Sequence, residues 1–366
     1  MNRRLEETVC LVCVLLFAAV PGCRDEECRR VPEDGLGEPT AWEKRFAETK
    51  RWPEAPQPEF VDGEEGVPLA YREWRPKRWR GEGAAVLFVH GSSAHSGEYT
   101  VIGAGLAESG VLARIVDLRG HGLSVCRESG DCGAPGEIAR TYEGDDYYAG
   151  RVGDARDENQ YLRDLADHIE DVRTRWGKAR ILLAGHSSGA GLVSRFVEHG
   201  GMPRIDGVIL LAPFHHPDQP QNKLVEYECG RKQGNGYAVV DMGALGDALR
   251  GNVHRYVLQF HKPEPYQHSL DTLHNTYTAM RGMQTESEDS FVHAYNRPIL
   301  WVAAEADALL DLETQREQFE RLPAGGKFVV VRDTSHIGLG WSDGVAQLMA
   351  SWATDPGTVV ENQIEP

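Results

Sequence analysis

The sequence lacks any apolar run long enough to cross a bilayer. Its longest, Val9 to Val20 (VCLVCVLLFAAV), has twelve residues, whereas a spanning helix needs about 20. Basic residues are scarce too: 39 Lys and Arg stand against 56 Asp and Glu, a net charge of −17. That balance excludes the basic footprint on which nucleic-acid binding rests. No Cys and His residues show the spacing of a zinc site, so neither a metal nor another cofactor is expected. No long period recurs, which argues against a repeat architecture. Hydrophobic residues make up 41% of the chain, ordinary for a globular protein. Discounting the ends leaves about 300 residues, enough for one large α/β domain with an insertion.

What the chain does have is a junction at residues 181–189. Ile181-Leu182-Leu183-Ala184 reads as a buried strand, Gly185-His186-Ser187-Ser188-Gly189 as a sharp turn, and Ala190 to His199 as the following helix. A Gly-x-Ser-x-Gly turn between strand and helix holds its serine at the tip, and the glycines let neighbouring backbones pass. A free hydroxyl is a poor nucleophile. Ser187 therefore needs a histidine base, a carboxylate to orient that base, and N–H donors for an oxyanion.

Each of these belongs in a loop beyond the carboxyl end of a strand. The apolar run Ala84–Val89 is followed by His90-Gly91-Ser92-Ser93, which puts the Ser92 N–H on the side of Ser187. The Ser188 N–H is the second expected oxyanion donor. His90 and His186 read as packed structural histidines. Pro298–Ala303 leads into Ala304-Glu305-Ala306-Asp307, making Asp307 the acid, with Asp311 its rival and Glu305 third. Lys327–Val331 leads into Arg332-Asp333-Thr334-Ser335-His336, whose His336 is the base; Gly338 and Gly340 are expected to keep that loop mobile. Ser, then Asp, then His is the order this kind of sheet imposes.

Three stretches carry a family resemblance: His90-Gly91 followed by His95-Ser96-Gly97-x-Tyr99; Asp117-x-Arg119-Gly120-His121-Gly122-x-Ser124; and Gly185-His186-Ser187-x-Gly189. Together they resemble the α/β-hydrolase superfamily, and within it the serine hydrolases that include monoacylglycerol lipases and lysophospholipases. The resemblance implies a mostly parallel, doubly wound sheet with a helical lid insertion, and Ser187, Asp307 and His336 as nucleophile, acid and base. It also implies hydrolysis of a small acyl ester: a monoacylglycerol, a lysophospholipid or a shorter one. The Arg119-to-Ser124 turn is structural by the same likeness. The chain departs from the family at Ser92, where a small or apolar residue is common, and at Ser93, where glycine is frequent. It also lacks the Gly-Gly-Pro that proline-specific peptidases of this fold usually carry after the loop histidine, which lowers the peptidase reading. An acyltransferase on the same fold and a non-catalytic surface lipoprotein stay open beside it.

The remaining pattern sets expected boundaries. Residues 60–212 and 297–353 form the core, 213–296 the lid and 354–366 a tail. Val67–Trp74 alternates like an antiparallel opening strand, while Val111–Val116 and Gly207–Ala212 read as buried strands. Tyr161, Leu165, His168 or Ile169, Val172 and Trp176 fall at helical spacing. The insertion mixes His215, His216, Tyr237, Tyr256 and Phe260 with many polar groups and shows no broad apolar face. That favours a short or polar acyl group over a long chain. Residues 130–157 read as a second loop walling the pocket.

Arg3 and Arg4 precede the twelve-residue apolar run, which suits a secretion signal over residues 1–22. The run ends in Val20-Pro21-Gly22-Cys23, similar to the box at which bacterial lipoproteins are cleaved and lipidated. Cys23 is thus the expected lipidation site, residues 23–59 a tether, and the bacterial cell envelope the expected destination, with soluble export as its rival. A lipid and a tether attach an enzyme to a membrane without a spanning helix. Within the tether, Trp42 and Phe46 mark one short helix able to dock on the domain. Cys126 and Cys132 flank RESGD and would close a small disulfide in an oxidising compartment. The pairing of Cys28 with Cys229 and the oligomeric state stay open.

Overall fold

Apolar runs with both faces covered make the strands of the central sheet, as a parallel sheet requires. In chain order these are β1 (Glu59–Asp62), β2 (Pro68–Trp74), β3 (Glu82–Val89), β4 (Leu112–Val116), β5 (Lys178–His186) and β6 (Gly207–Leu211). The insertion follows with β7 (Val225–Glu226), β8 (Lys232–Gly234), β9 (Ala238–Asp241), β10 (Tyr256–Phe260) and β11 (His274–Thr276). The core resumes with β12 (Ile299–Ala304), β13 (Gly326–Val331) and β14 (Gln363–Ile364). These come from a computed structural model that describes residues 38–49, 52–132, 146–200, 203–219, 225–226, 232–234, 237–262, 266, 268–287, 289–295, 298–323, 325–359 and 361–366. The expectations for the signal segment, Cys23, Cys28 and Cys229 lie outside these residues. Among the described residues no helix is long and apolar enough to cross a membrane.

The central sheet has the order β1-β2-β4-β3-β5-β6-β12-β13-β14. Strand β2 runs antiparallel to β1 and β4, and the other pairings are parallel. The period-2 geometry of β3 divides its side chains between two cores. Ala84, Val86 and Phe88 pack on one face of the sheet, and Ala85, Leu87 and Val89 on the other. The first face is covered by α2 (Thr100–Glu108) and α9 (Asp343–Thr354). The second is covered by α3 (Gln160–Arg175) and α4 (Ser188–Glu198); in α3, Tyr161, Leu165, Ile169 and Val172 form the expected apolar stripe.

The insertion departs from expectation. It is built on a five-stranded antiparallel sheet, β11-β10-β9-β8-β7, with only short helices α5 (Met242–Ala248), α6 (Tyr277–Gly282) and α7 (Ser290–Ala294) beside it. The helical lid is corrected accordingly. Tyr, Val and Phe in β9 and β10 suit a pleated, half-buried surface, and apolar runs this short do not reveal their period.

The insertion sheet is tied down along its length. Thr272 donates its N–H to the Ser93 carbonyl at 3.0 Å, Thr276 to that of Gly153 at 2.9 Å, and the Tyr256 hydroxyl to that of Val152 at 2.7 Å. Of the wall expected at 130–157, residues 133–145 lie outside the described residues; residues 146–157 support the insertion and are not in the lining of the catalytic cavity. Both chain ends also pack on the core, the tail beyond expectation and the tether helix as expected. In the tail, β14 extends the sheet beside β13. In the tether, α1 (Ala41–Thr49) docks on the domain through a buried Phe46, which stacks on Trp341 with ring centroids 6.1 Å apart.

Candidate active site

Ser187 sits where β5 turns into α4. Its φ of 56° is a left-handed conformation that a residue with a Cβ adopts only under constraint. The constraint is visible: its N–H donates to Leu211 O at 2.9 Å, and its carbonyl accepts from Ala190, Gly191 and Phe214. A Cβ on Gly189 would overlap the carbonyl of His90, so that position admits only glycine.

Asp307 follows β12 and His336 follows β13. Both are buried, and His336 Nδ1 meets Asp307 Oδ2 at 2.8 Å. Asp307 Oδ1 accepts the N–H groups of Leu309 and Leu310 at 2.8 and 2.9 Å. Burial pushes the Asp307 carboxyl up, but the neighbouring imidazole and these two donors outweigh it and hold the group below the usual carboxylate range. His336 Nε2 is buried without a hydrogen-bond partner, and His336 lines the same cavity as Ser187. The rivals are placed elsewhere. Asp311 caps α8 (Leu312–Glu320), accepting from Thr314 N at 2.9 Å, and Glu305 accepts the N–H of Asp333 at 2.9 Å.

The two nearby histidines are structural, as read. His90 Nε2 accepts the Leu118 N–H at 3.0 Å, so its Nδ1 carries the proton shared with Gly91 O at 2.7 Å. Burial lowers its pKa to about 4. His186 lies between the His336 carbonyl (Nε2, 2.9 Å) and the Tyr99 hydroxyl (Nδ1, 2.9 Å). Burial takes it down to about 3, so it stays neutral and braces the His336 backbone. Asp117 likewise organises its own turn, accepting from Ser96 N at 2.6 Å and Leu123 N at 2.9 Å. His215 stacks on Phe291 at 3.8 Å, away from the cavity.

The oxyanion region holds a detail the sequence does not disclose. The Ser92 N–H donates to Ser188 Oγ at 2.7 Å, and the two hydroxyls are 2.6 Å apart. In the resting site, the Ser188 hydroxyl takes the donor assigned to an oxyanion. Ser93 adopts φ 66°, which explains why glycine suits this position, and it is held by a 2.6 Å hydrogen bond to the Tyr237 hydroxyl.

Tyr237 and Lys262, both from the insertion, line the cavity with Glu98. Lys262 Nζ donates to Glu98 Oε2 and Asp271 Oδ1, each at 2.8 Å. Ligand atoms of His95, Glu98 and Asp271 lie within 4.8 Å of one another, and the Lys262 ammonium supplies positive charge there. Burial and the Asp271 carboxylate outweigh Lys262 and raise the Glu98 carboxyl to about 8. Sequence reasoning missed Lys262 and Glu98 as site residues, because the only signal was an isolated Lys in the insertion and an unassigned position inside a motif. Gly338 and Gly340 also have a different role from the mobility expected of them. They lie in a buried 3₁₀ turn (Ile337–Trp341), where a Cβ on Gly338 would overlap Glu43 Oε1 and one on Gly340 would come within 3.0 Å of Tyr99. Cys126 and Cys132 are bonded as expected.

A mostly parallel sheet, a serine on a strained strand-to-helix turn and an Asp–His pair beyond two later strands define an α/β-hydrolase. Residues 82–337 match the hydrolase family described as serine aminopeptidase, S33, and the chain belongs to it. It is a serine hydrolase of that fold. No curated protein sequence matches it significantly. Among solved structures it is similar to a soluble variant of monoglyceride lipase from Saccharomyces cerevisiae bound to a substrate analog: 15% identity, TM-score 0.59, covering 84% of this chain and 97% of that one. A monoacylglycerol lipase from Paleococcus ferrophilus gives 18% identity and TM-score 0.52, with 79% and 99% covered. Ferulic acid-bound Est1E from Butyrivibrio proteoclasticus gives 17% and 0.50, with 81% and 97% covered. At these identities the likeness establishes the fold.

Proposed function

We propose that this protein is a carboxylic ester hydrolase that takes short acyl groups through an acyl-enzyme on Ser187. The observation that carries the reading is the buried 2.8 Å pair of Asp307 and His336, whose histidine keeps Nε2 unpartnered and lines one cavity with Ser187. Ser187 attacks the ester carbonyl while His336 Nε2 takes the hydroxyl proton. The proton passes to the leaving alcohol, and water activated by the same imidazole releases the acid. Asp307 fixes the tautomer and stabilises the imidazolium. The Ser92 and Ser188 N–H groups hold the oxyanion once the Ser188 hydroxyl has turned away.

The size of the cavity supports the substrate class. It holds about 20 Å³, little more than one ordered water needs, and its lining sets Lys262 and Glu98 among Ala94, Tyr99, Ile337 and Trp341. A long acyl chain has no room there. Secretion through residues 1–22 and attachment at Cys23 belong to the same proposal, supported by the Cys126–Cys132 bond, which suits an oxidising compartment.

The test is a series of p-nitrophenyl esters and matching amides. Acetyl and propionyl esters should give the highest kcat/KM, with amides far slower. Ser187→Ala should lower turnover by about 10⁴ to 10⁶ and abolish labelling by a fluorophosphonate. An octanoyl optimum would overturn the substrate class, and an active Ser187→Ala enzyme the mechanism.

A further inference from the structure

The segment before residue 60 was expected to be a tether, and it lies outside the matched family region of 82–337. Its helix α1 nevertheless reaches the loop that carries His336. Glu43 is buried, at 1% exposure. Its Oε1 accepts both the N–H of Ser335 at 3.0 Å and the Ser335 hydroxyl at 2.5 Å. Ser335 immediately precedes His336. The other oxygen, Oε2, accepts the Thr40 N–H at 2.8 Å, which fixes the carboxylate at the start of the helix.

Two further bonds grip the same loop two residues earlier. The Thr40 hydroxyl donates to Asp333 O at 2.6 Å, and the Trp42 N–H to Asp333 Oδ2 at 2.9 Å. Asp333 stands at φ 44°, a conformation that needs holding. On the far side of His336, Gly338 leaves the space Glu43 occupies. Trp341 packs against Phe46 and Trp52 while lining the cavity. The loop is thus held from α1 on both sides of His336.

We propose that Glu43 is a positioning residue for catalysis: through Ser335 it sets the backbone from which the His336 imidazole reaches Ser187. The inference rests on the triad reading given above. A carboxylate taking two donors of one residue fixes that residue's place and rotation, and an error of about 1 Å in the base costs on the order of 10²-fold in rate. Neither Glu43 nor Ser335 lines the cavity, so the effect belongs in kcat rather than KM.

The full-length enzyme is assayed as wild type, Glu43→Ala and Glu43→Gln, well below each melting temperature, together with the rate of fluorophosphonate labelling. Glu43→Ala should lose about 10- to 100-fold in kcat with KM within about twofold, and label more slowly in proportion. Glu43→Gln keeps a carbonyl acceptor for the Ser335 N–H and should recover most of the loss. A folded Glu43→Ala enzyme that turns over and labels like wild type overturns the proposal, as does a loss confined to KM. If Glu43→Ala does not fold, Ser335→Ala and its double variant with Glu43→Gln decide. Losses that fail to add support the link, and additive or absent losses overturn it. Wild type that does not label would instead remove the triad reading, so the two failures are distinguishable.

Discussion

A carboxylate beside a catalytic imidazole is useful only while it is ionised, and Asp307 is kept so by donors its own loop provides. The N–H groups of Leu309 and Leu310 occupy one oxygen and leave the other for His336. Asp307→Asn should therefore lower kcat by about 10⁴, because an amide N–H opposite Nδ1 selects the wrong tautomer. Asp311→Asn should leave kcat unchanged, while Asp311→Ala should cost about 1 kcal/mol of stability as a lost helix cap. Steady-state kinetics and denaturant melts separate the two acids. The three proposed catalytic residues were legible in the sequence because each ends an apolar strand in the required order. Glu43 and Lys262 were not: their partners lie 292 and 164 positions away in the chain, and no local pattern announces a pairing of that range.

At the scale of elements, the insertion brings charge into the cavity wall. Glu98 and Asp271 share one ammonium, and burial with the second carboxylate holds Glu98 protonated up to about 8. A carboxyl raised above its ordinary value of 4.5 binds its proton more tightly in the folded chain. Its contribution to stability is then lost as pH rises from about 4.5 toward 8. Melting temperature should fall across that window in wild type, and Glu98→Gln should flatten the fall; equal slopes would show that Glu98 does not titrate there. Seven strands of the central sheet, β2 to β6, β12 and β13, could be anticipated because they are long and apolar. Those of the insertion could not. β7 has two residues and β8 and β11 three each, too few to display an alternation, and their identity depends on neighbours brought in from afar.

Across the whole molecule, the insertion and core behave as one piece. Hydrogen bonds run from β10 and from the chain around β11 to the loops after β3 and before α3, and the Lys262–Glu98 pair closes the same seam inside. A Cβ on Gly191 of α4 would overlap Phe214 O, where the insertion begins, and come within 2.7 Å of Met283 O near its end. Both roots of the roof are therefore pressed onto the helix that follows Ser187. Lipases that wake at an oil surface do so by swinging a cover aside, and a cover bolted to the core along its seam as well as at its roots has nowhere to swing. Rate plotted against ester concentration should rise smoothly through the point where the substrate begins to form micelles, with no jump. This hydrolase would then work on dissolved molecules one at a time, even if its own amino terminus is fastened to a membrane.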